Sequence, residues 1–337
     1  MRSVEVGDTA RRWGSALSAV AGSGVFHPPG PRAIAGIVAG LARFGPTPAT
    51  LVAVSAARYP ERIALIDDRG AVTFQQLQQR SSAIAAALWA VCAGASPRSV
   101  GILCRNHRGF VEAMCAGAQL GCEVVFINTE LPAAQLHALL RRHDPDILIY
   151  DDEFEPAVES SNFSGRRVRA WCDHPQTPTS TASIVATLDG LAAQRHPRPP
   201  RVHRPVRVTL LTSGTTGLAK GVPRSVTPRA IAQLAATAMA TVRLRSGDTV
   251  ATAAPFFHGF GLLGVLGALT LGATTVCHRR FDAGHLLADI AGRRVSVVLA
   301  VPVMLQRLLG LPPETLDAAD TSSLRIAVTG ASPRSEE

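Results

Sequence analysis

The sequence predicts an α/β fold built from two helix-covered, mainly parallel sheets. Three observations point there. From about residue 60, short apolar runs of strand length alternate with segments of helical periodicity, the pattern of strands joined through covering helices. Hydrophobic residues make up 47% of the chain and charged residues 18%, enough to bury a sizeable core and too apolar for wholesale disorder. The length of 337 residues accommodates two subdomains.

Taken in order, Ala33–Leu41 reads as a short apolar helix within an N-terminal extension, residues 1–50, rich in Ala, Gly and Pro. Surface packing and membrane contact are both open for it. Helix Gln75–Ala90 follows, then strand Ser99–Leu103, helix Gly109–Leu120, strand Glu123–Ile127, helix Ala133–Arg142 and strand Asp146–Tyr150. After an irregular stretch come strand Val206–Leu211, helix Arg229–Ala240, strand Thr249–Ala253, helix Gly261–Leu271 and strand Ala273–Cys277. Helix Gly284–Arg293, strand Val295–Ala300, helix Pro302–Leu309 and strand Leu324–Val328 complete the series. Two similar runs on either side of residue 200 suggest one sheet each. The expected division is therefore 51–193, a join at 194–207, and 208–337, with the last subdomain incomplete at its C-terminus. The join carries Arg195, Arg198, Arg201, Arg204 and Arg207 among four prolines. Proline opposes regular structure and the charges keep the segment solvated, so it reads as an exposed linker; an RNA or phospholipid patch is the sharper alternative.

The net charge of +9 is otherwise spread out, which argues against specific nucleic-acid binding. The six cysteines show no CxxC spacing and read as buried thiols in a reducing cytoplasm, and no metal-ligand cluster is visible. The N-terminal run to Phe26 is broken by Gly and Ser and makes a poor signal peptide. Thr249–His278 has no Asp, Glu, Lys or Arg, long enough to span a bilayer, yet Pro255 and five glycines interrupt it. It reads better as strand, loop, buried helix and strand.

The chemistry concentrates after the strand Val206–Leu211. Thr212-Ser213-Gly214-Thr215-Thr216-Gly217-Leu218-Ala219-Lys220-Gly221 places four hydroxyls, three glycines and one lysine in ten residues. Glycines let backbone N–H groups close on an anion, hydroxyls donate to phosphate oxygens or ligate Mg2+, and lysine supplies charge. Lys220 is the only lysine in the chain; every other basic side chain apart from histidine is arginine. A compact ammonium suits a phosphate where a planar guanidinium does not. The loop is no Walker A motif, because Ala219 rather than Gly precedes the lysine.

This string resembles the phosphate-binding signature [ST]SGTTGxPKG of the adenylate-forming superfamily: acyl-CoA synthetases, luciferases and peptide-synthetase adenylation domains. Ala219 stands where that family has proline. Val72-Thr73-Phe74-Gln75-Gln76-Leu77 is similar to its early hTYxEL segment, Pro255-Phe256-Phe257-His258-Gly259-Phe260-Gly261 to PxFHxxG, and Thr329-Gly330-Ala331-Ser332-Pro333 to the adenine-side GGAPL. The resemblance runs from about residue 50 to the C-terminus. Asn106-His107-Arg108-Gly109-Phe110, with the apolar helix after His258, brings it closest to bacterial fatty-acyl-CoA synthetases.

The resemblance implies the N-terminal portion of that fold, and ATP, Mg2+ and CoA as cofactors, the CoA site only in part. It implies a fatty acid as the acid activated, a fatty-acid–CoA ligase as the activity, and a cytoplasmic location with peripheral membrane contact open. Thr212, Ser213, Gly214, Thr215, Thr216 and Gly217 would cradle the phosphates, with Thr215 on Mg2+. Lys220 would neutralise phosphate charge, and His258 would orient the acyl carboxylate. Gly261 and Gly264 would leave room for the acyl chain, and Gly330, Ala331 and Ser332 would border adenine. Phe256 and Phe257 read as core. The family's YGxTE segment, ribose-binding Asp and C-terminal catalytic Lys do not occur in these 337 residues. The expectation is thus a truncated, catalytically impaired copy, or one completed by a second chain. A non-catalytic ATP- or acyl-binding module is the alternative. Gly259-x-Gly261-x-x-Gly264 with Asp282 raises a dinucleotide-binding oxidoreductase as a remoter one.

Overall fold

A computed structural model describes residues 30–173, 185–201, 206–212, 220–225 and 242–330. Its first helices are α1 (Pro31–Phe44) and α2 (Pro48–Arg58), each with proline at its start, where the missing N–H costs no helical bond. Strands β1 (Ile63–Asp67) and β2 (Gly70–Thr73) form an antiparallel hairpin. Thr73 then caps α3 (Phe74–Val91): its hydroxyl accepts from Gln76 N, while the Gln76 side-chain oxygen accepts from Thr73 N. That reciprocal box is the local reason for the Thr-Phe-Gln-Gln string.

The chain continues through β3 (Ser99–Leu103), α4 (Arg108–Gln119), β4 (Glu123–Phe126), α5 (Ala133–His143) and β5 (Ile147–Asp151). Next are α6 (Glu155–Glu159), β6 (Arg166–Trp171), β7 (Ala186–Thr187), α7 (Leu188–Ala193), and the antiparallel pair β8 (Arg207–Thr212) and β9 (Lys220–Ser225). The last part holds β10 (Thr249–Thr252), α8 (Gly259–Leu271), β11 (Thr274–Val276), α9 (Ala283–Gly292) and β12 (Val297–Ala300). Helices α10 (Pro302–Leu309) and α11 (Pro313–Ala318) and strand β13 (Ile326–Thr329) end the described series.

Both expected sheets are present. One has six strands in the order β13-β12-β10-β11-β1-β2, and the other seven in the order β7-β6-β5-β3-β4-β8-β9. Every neighbouring pair is parallel except β1–β2 and β8–β9. The sheets do not divide at residues 194–207, as the repeated series suggests. The β1–β2 hairpin lies beyond β11 in the C-terminal sheet, and β8–β9, past that join, lies beside β4 in the other. Pairing decides membership: Leu65 sits opposite Thr275, and Val124 opposite Val208.

The central core lies between the sheets. Helices α2, α3, α4 and α8 contribute Val52, Ile84, Phe110, Met114 and Val265, packed with Ile102, Val124 and Ile149 of one sheet and Leu65 of the other. Outer clusters cover the remaining faces, α5 on one sheet and α9 with α10 on the other. Segment 249–278 forms strand, loop, a 13-residue helix and strand, and no helix of the described residues is long and apolar enough to cross a membrane. The expected helix Arg229–Ala240 lies outside the described residues.

Candidate active site

Parallel strands bring their carboxyl ends to one edge of each sheet, and the two edges meet along a seam. Asn106, just after β3 and buried, crosses it. Its Nδ2 donates to Ala254 O at 2.9 Å and to Thr252 O at 3.4 Å. Its Oδ1 accepts from Phe256 N at 2.7 Å. One amide thus fixes the loop between β10 and α8, which carries His258.

That loop delivers His258 to the N-terminus of α8, exposed and in extended conformation, with no side-chain capping bond. His258 is therefore neither a core filler nor a helix cap. Phe256 is fully buried, edge-on to Phe110 at 5.5 Å between ring centres, as expected for core.

The start of α8 faces both sheets. A Cβ on Gly259 would lie 3.8 Å from Leu210 of β8, and one on Gly330, just past β13, would lie 3.2 Å from the Phe260 ring. The ends of β8, β10 and β13 therefore meet around the first turn of α8. Strand β8 leads straight into the hydroxyl-rich loop, and Thr212 pairs with Lys220 across the base of that hairpin. Ser213, Gly214, Thr215, Thr216 and Gly217 lie outside the described residues, as do Ala331 and Ser332. The described flanks of these segments are the Thr212–Lys220 pair and Gly330.

A Cβ on Gly261 would come within 2.2 Å of Pro255 O and 2.6 Å of Ala254 O, and one on Gly264 within 2.5 Å of Leu299 Cδ2. The space a Cβ would take at each is filled by protein, so both glycines serve close packing of α8. The Gly259-x-Gly261-x-x-Gly264 string lies within α8 itself, and Asp282 caps α9 by accepting from His285 N at 2.8 Å. Neither makes a strand-turn-helix dinucleotide site.

Ion pairs of mixed exposure lie after these strands, from Asp67, fully buried, to Arg280, 72% exposed. Arg108 forks onto Asp67, with Nη2–Oδ1 at 2.5 Å and Nε–Oδ2 at 2.9 Å, joining α4 to β1. Burial alone would raise the Asp67 carboxyl, but the Arg108 bonds outweigh it and hold that group below its ordinary value. Glu153 receives Arg105 and Arg279 at 2.8 Å and Arg280 at 2.9 Å, linking the ends of β3 and β11 to the segment after β5. His278 bridges Asp289 at 2.7 Å and Asp68 at 2.5 Å. Its bond to Asp289 leads in raising its pKa, against burial, to about 9.

Among the described residues one cluster has metal-ligand composition, Cys104, His107 and Asp151, all buried. Its hydrogen bonds are already satisfied. His107 Nδ1 accepts from Gly109 N at 3.0 Å, leaving Nε2–H to donate to Asp151 at 2.8 Å, and Cys104 Sγ faces Ile149 O at 3.7 Å. No disulfide joins the six cysteines, and burial pushes the Cys115 thiol up to about 12.

With this geometry in hand, comparison with known proteins decides the family. The AMP-binding enzyme model matches residues 52–337. The chain belongs to the AMP-binding enzyme family.

Among relatives of this AMP-binding chain, a 3-[(3aS,4S,7aS)-7a-methyl-1,5-dioxo-octahydro-1H-inden-4-yl]propanoyl:CoA ligase of Mycobacterium tuberculosis is 31% identical, covering 81% of this chain and 54% of the relative. The fatty acid–[acyl-carrier-protein] ligase ScoC of Streptomyces coeruleorubidus is also 31% identical, covering 82% and 52% respectively. Among solved structures, O-succinylbenzoate coenzyme A synthetase from Bacillus subtilis in complex with AMP superposes with a TM-score of 0.65 at 26% identity, over 84% of this chain and 68% of that one. The N-terminal domain of FACL13 from Mycobacterium tuberculosis gives 0.72 at 22% identity, over 86% and 71%, a likeness of fold alone. The chain spans about half the length of the curated relatives it matches.

Proposed function

We propose that this chain binds ATP and a carboxylic acid for acyl-adenylate formation, as part of a fatty-acid–CoA ligase. The observation that carries the reading is the convergence at one rim. A hairpin closed by the Thr212–Lys220 pair meets the His258 end of α8 and the Gly330 end of β13. The donor set fits a triphosphate. Hydroxyls of Thr212, Ser213, Thr215 and Thr216 and the Lys220 ammonium offer hydrogen bonds and positive charge, and the glycines admit backbone N–H groups.

In this reading a carboxylate oxygen would bond to the α-phosphorus of ATP as the α–β phosphoanhydride breaks, giving acyl-adenylate and releasing pyrophosphate. Thr215 offers a hydroxyl to Mg2+, and Gly330, Ala331 and Ser332 border adenine. Lys220 neutralises phosphate charge, which lowers the barrier by positioning and electrostatics. His258, exposed at the rim, orients the acid. Transfer to CoA, a fatty acid as substrate, and completion by a second chain belong to the same proposal.

The test is ATP–pyrophosphate exchange with a series of fatty acids, alongside equilibrium binding of ATP. Exchange stimulated by fatty acid, and lost in His258→Ala with ATP binding retained, supports the full reading. Binding of ATP without exchange leaves the non-catalytic module. Absence of ATP binding overturns both.

A further inference from the structure

A concave site lies away from the rim, at the amino end of β6. Helices α3 and α7 and strands β6 and β7 enclose an open pocket of about 390 Å3 there. Small-molecule sites span about 300–1,000 Å3. The floor is the edge of the central core: Leu88, Val168 and Leu191 line the pocket and belong to the buried cluster between the sheets. Val91, at the end of α3, adds an apolar wall that is 38% exposed.

Two arginines line this pocket, and they differ in what they already hold. Arg167 pairs with Glu155 at 3.5 Å and Glu159 at 4.0 Å. Arg166 is exposed and forms no ion pair among the described residues. Its backbone N–H donates to Asp146 O at 2.9 Å, but the Asp146 carboxylate is taken by Arg98 at 2.7 Å. The Arg166 guanidinium instead donates to the thiol of Cys92, half-buried just past Val91. An apolar hollow with one unopposed guanidinium is complementary to an amphipathic anion. A carboxylate meets Arg166 through charge-assisted bonds, and a short hydrocarbon tail covers Leu88, Val91 and Leu191. A neutral apolar ligand would leave the guanidinium without complement, and inorganic phosphate would leave the hydrocarbon walls bare.

We propose that this pocket is a second ligand site, which takes a medium-chain carboxylate with its head on Arg166 and its tail along α3 and α7. The rim gathers the carboxyl ends of parallel strands, whereas the pocket opens at the amino end of β6, a strand's length away. No rim residue takes part in it, so the inference stands whether or not the ligase reading does.

The experiment uses octanoate on the full chain. Two half-buried thiols stand at opposite ends of β6, Cys92 beside the pocket and Cys172 just past the carboxyl end, while the other four cysteines are buried. Labelling by N-ethylmaleimide is followed at each by peptide mass spectrometry. Octanoate should slow labelling of Cys92 saturably and leave Cys172 unchanged. Octan-1-ol, equal in length and uncharged, should need about tenfold more to do the same, the scale of one charge-assisted bond. Arg166→Gln and Val91→Asp should each raise the octanoate concentration needed by about tenfold. Both positions are exposed, and unchanged circular dichroism shows that the variants remain folded. Equilibrium dialysis of radiolabelled octanoate reads the same site without the thiol: Arg166→Gln should remove one class of bound octanoate and leave any binding at the rim. Equal protection of Cys92 and Cys172, protection by octanol as strong as by octanoate, or dialysis that Arg166→Gln does not alter each overturns the proposal. So does protection of Cys92 that grows with protein concentration alone, which would give the pocket to a second copy.

Discussion

Asn106→Ala is the most informative single change. In the native protein one side-chain amide satisfies Phe256 N at 2.7 Å and Ala254 O at 2.9 Å, with a longer bond to Thr252 O. Asn106 is 6% exposed and Phe256 fully buried, so water cannot replace the lost partner without opening the seam. An orphaned buried donor costs about 1–3 kcal/mol, and the small cavity and stranded carbonyls add to it. A total loss of about 2–4 kcal/mol is expected. Urea unfolding followed by circular dichroism measures it, read as a shift in midpoint at constant slope. Because the freed loop carries His258, acid-dependent pyrophosphate exchange should fall more than ATP binding does. A stability loss below about 0.5 kcal/mol, the range of an ordinary surface substitution, would refute the assignment of Asn106 as the pin between sheets.

Other outcomes follow from the same geometry. Ser81 is buried with its hydroxyl unpartnered, so Ser81→Ala should leave stability unchanged or raise it slightly in the same urea titration. Gly261→Ala, whose Cβ would strike two backbone carbonyls, should cost about 1–3 kcal/mol, whereas Gly259→Ala, meeting Leu210 at 3.8 Å, should be tolerated. Lys220→Ala and Thr215→Ala should each weaken ATP about tenfold in equilibrium binding, the scale of one charge-assisted bond; unchanged affinity in both would count against the loop. His278 has a folded pKa of about 9, above its unfolded value near 6.5. A raised pKa stabilises the fold fully below the unfolded value and loses that contribution as pH rises through the folded one. Stability should therefore decline between about pH 6.5 and 9, by at most about 3 kcal/mol, and His278→Gln should flatten the decline.

The legible parts of the fold were those whose local chemistry and final environment agree. Strands such as Ser99–Leu103 and Val297–Ala300 are buried on both faces, so an apolar run survives as signal. Strand β6 escapes that test because Arg166, Arg167 and Arg169 sit in it; Arg167 and Arg169 pair with Glu155 across a distance no local pattern displays. Strand β9 contains Pro223, which only the outermost position of the seven-stranded sheet tolerates. The Thr212–Lys220 string stands out in the sequence because phosphate chemistry demands particular residue types at particular spacing, while residues 213–219 lie outside the described residues. Asn106 stood out only through family likeness. A buried Asn is ordinary until the carbonyls it holds, about 150 residues away, are known. Gly261 and Gly264 are ambiguous for the complementary reason. A glycine on a helix signals close approach without saying whether ligand or protein does the approaching, and here Leu299 and the Pro255 carbonyl are the neighbours a Cβ would meet.

The exchange of hairpins between the two halves explains why the rim can be rigid without a covalent brace. Were each sheet made of one contiguous stretch, the halves would meet only through side chains, and the Arg/Pro-rich join could act as a hinge. Instead β1–β2 is laid against β11 by backbone pairing, and β8 against β4, so the chain crosses the seam as part of both sheets. Opening the seam then requires more than unzipping the Arg108–Asp67 and Glu153 ion pairs. Helices α3 and α4 would have to lose the core that both sheets share, at about 25 cal/mol for each Å2 of apolar surface exposed. A rim held this way keeps the ends of β8, β10 and β13 fixed relative to one another. It follows that substitutions in the seam core should lower stability and rim function together, whereas substitutions confined to the loop 213–219 should lower function alone.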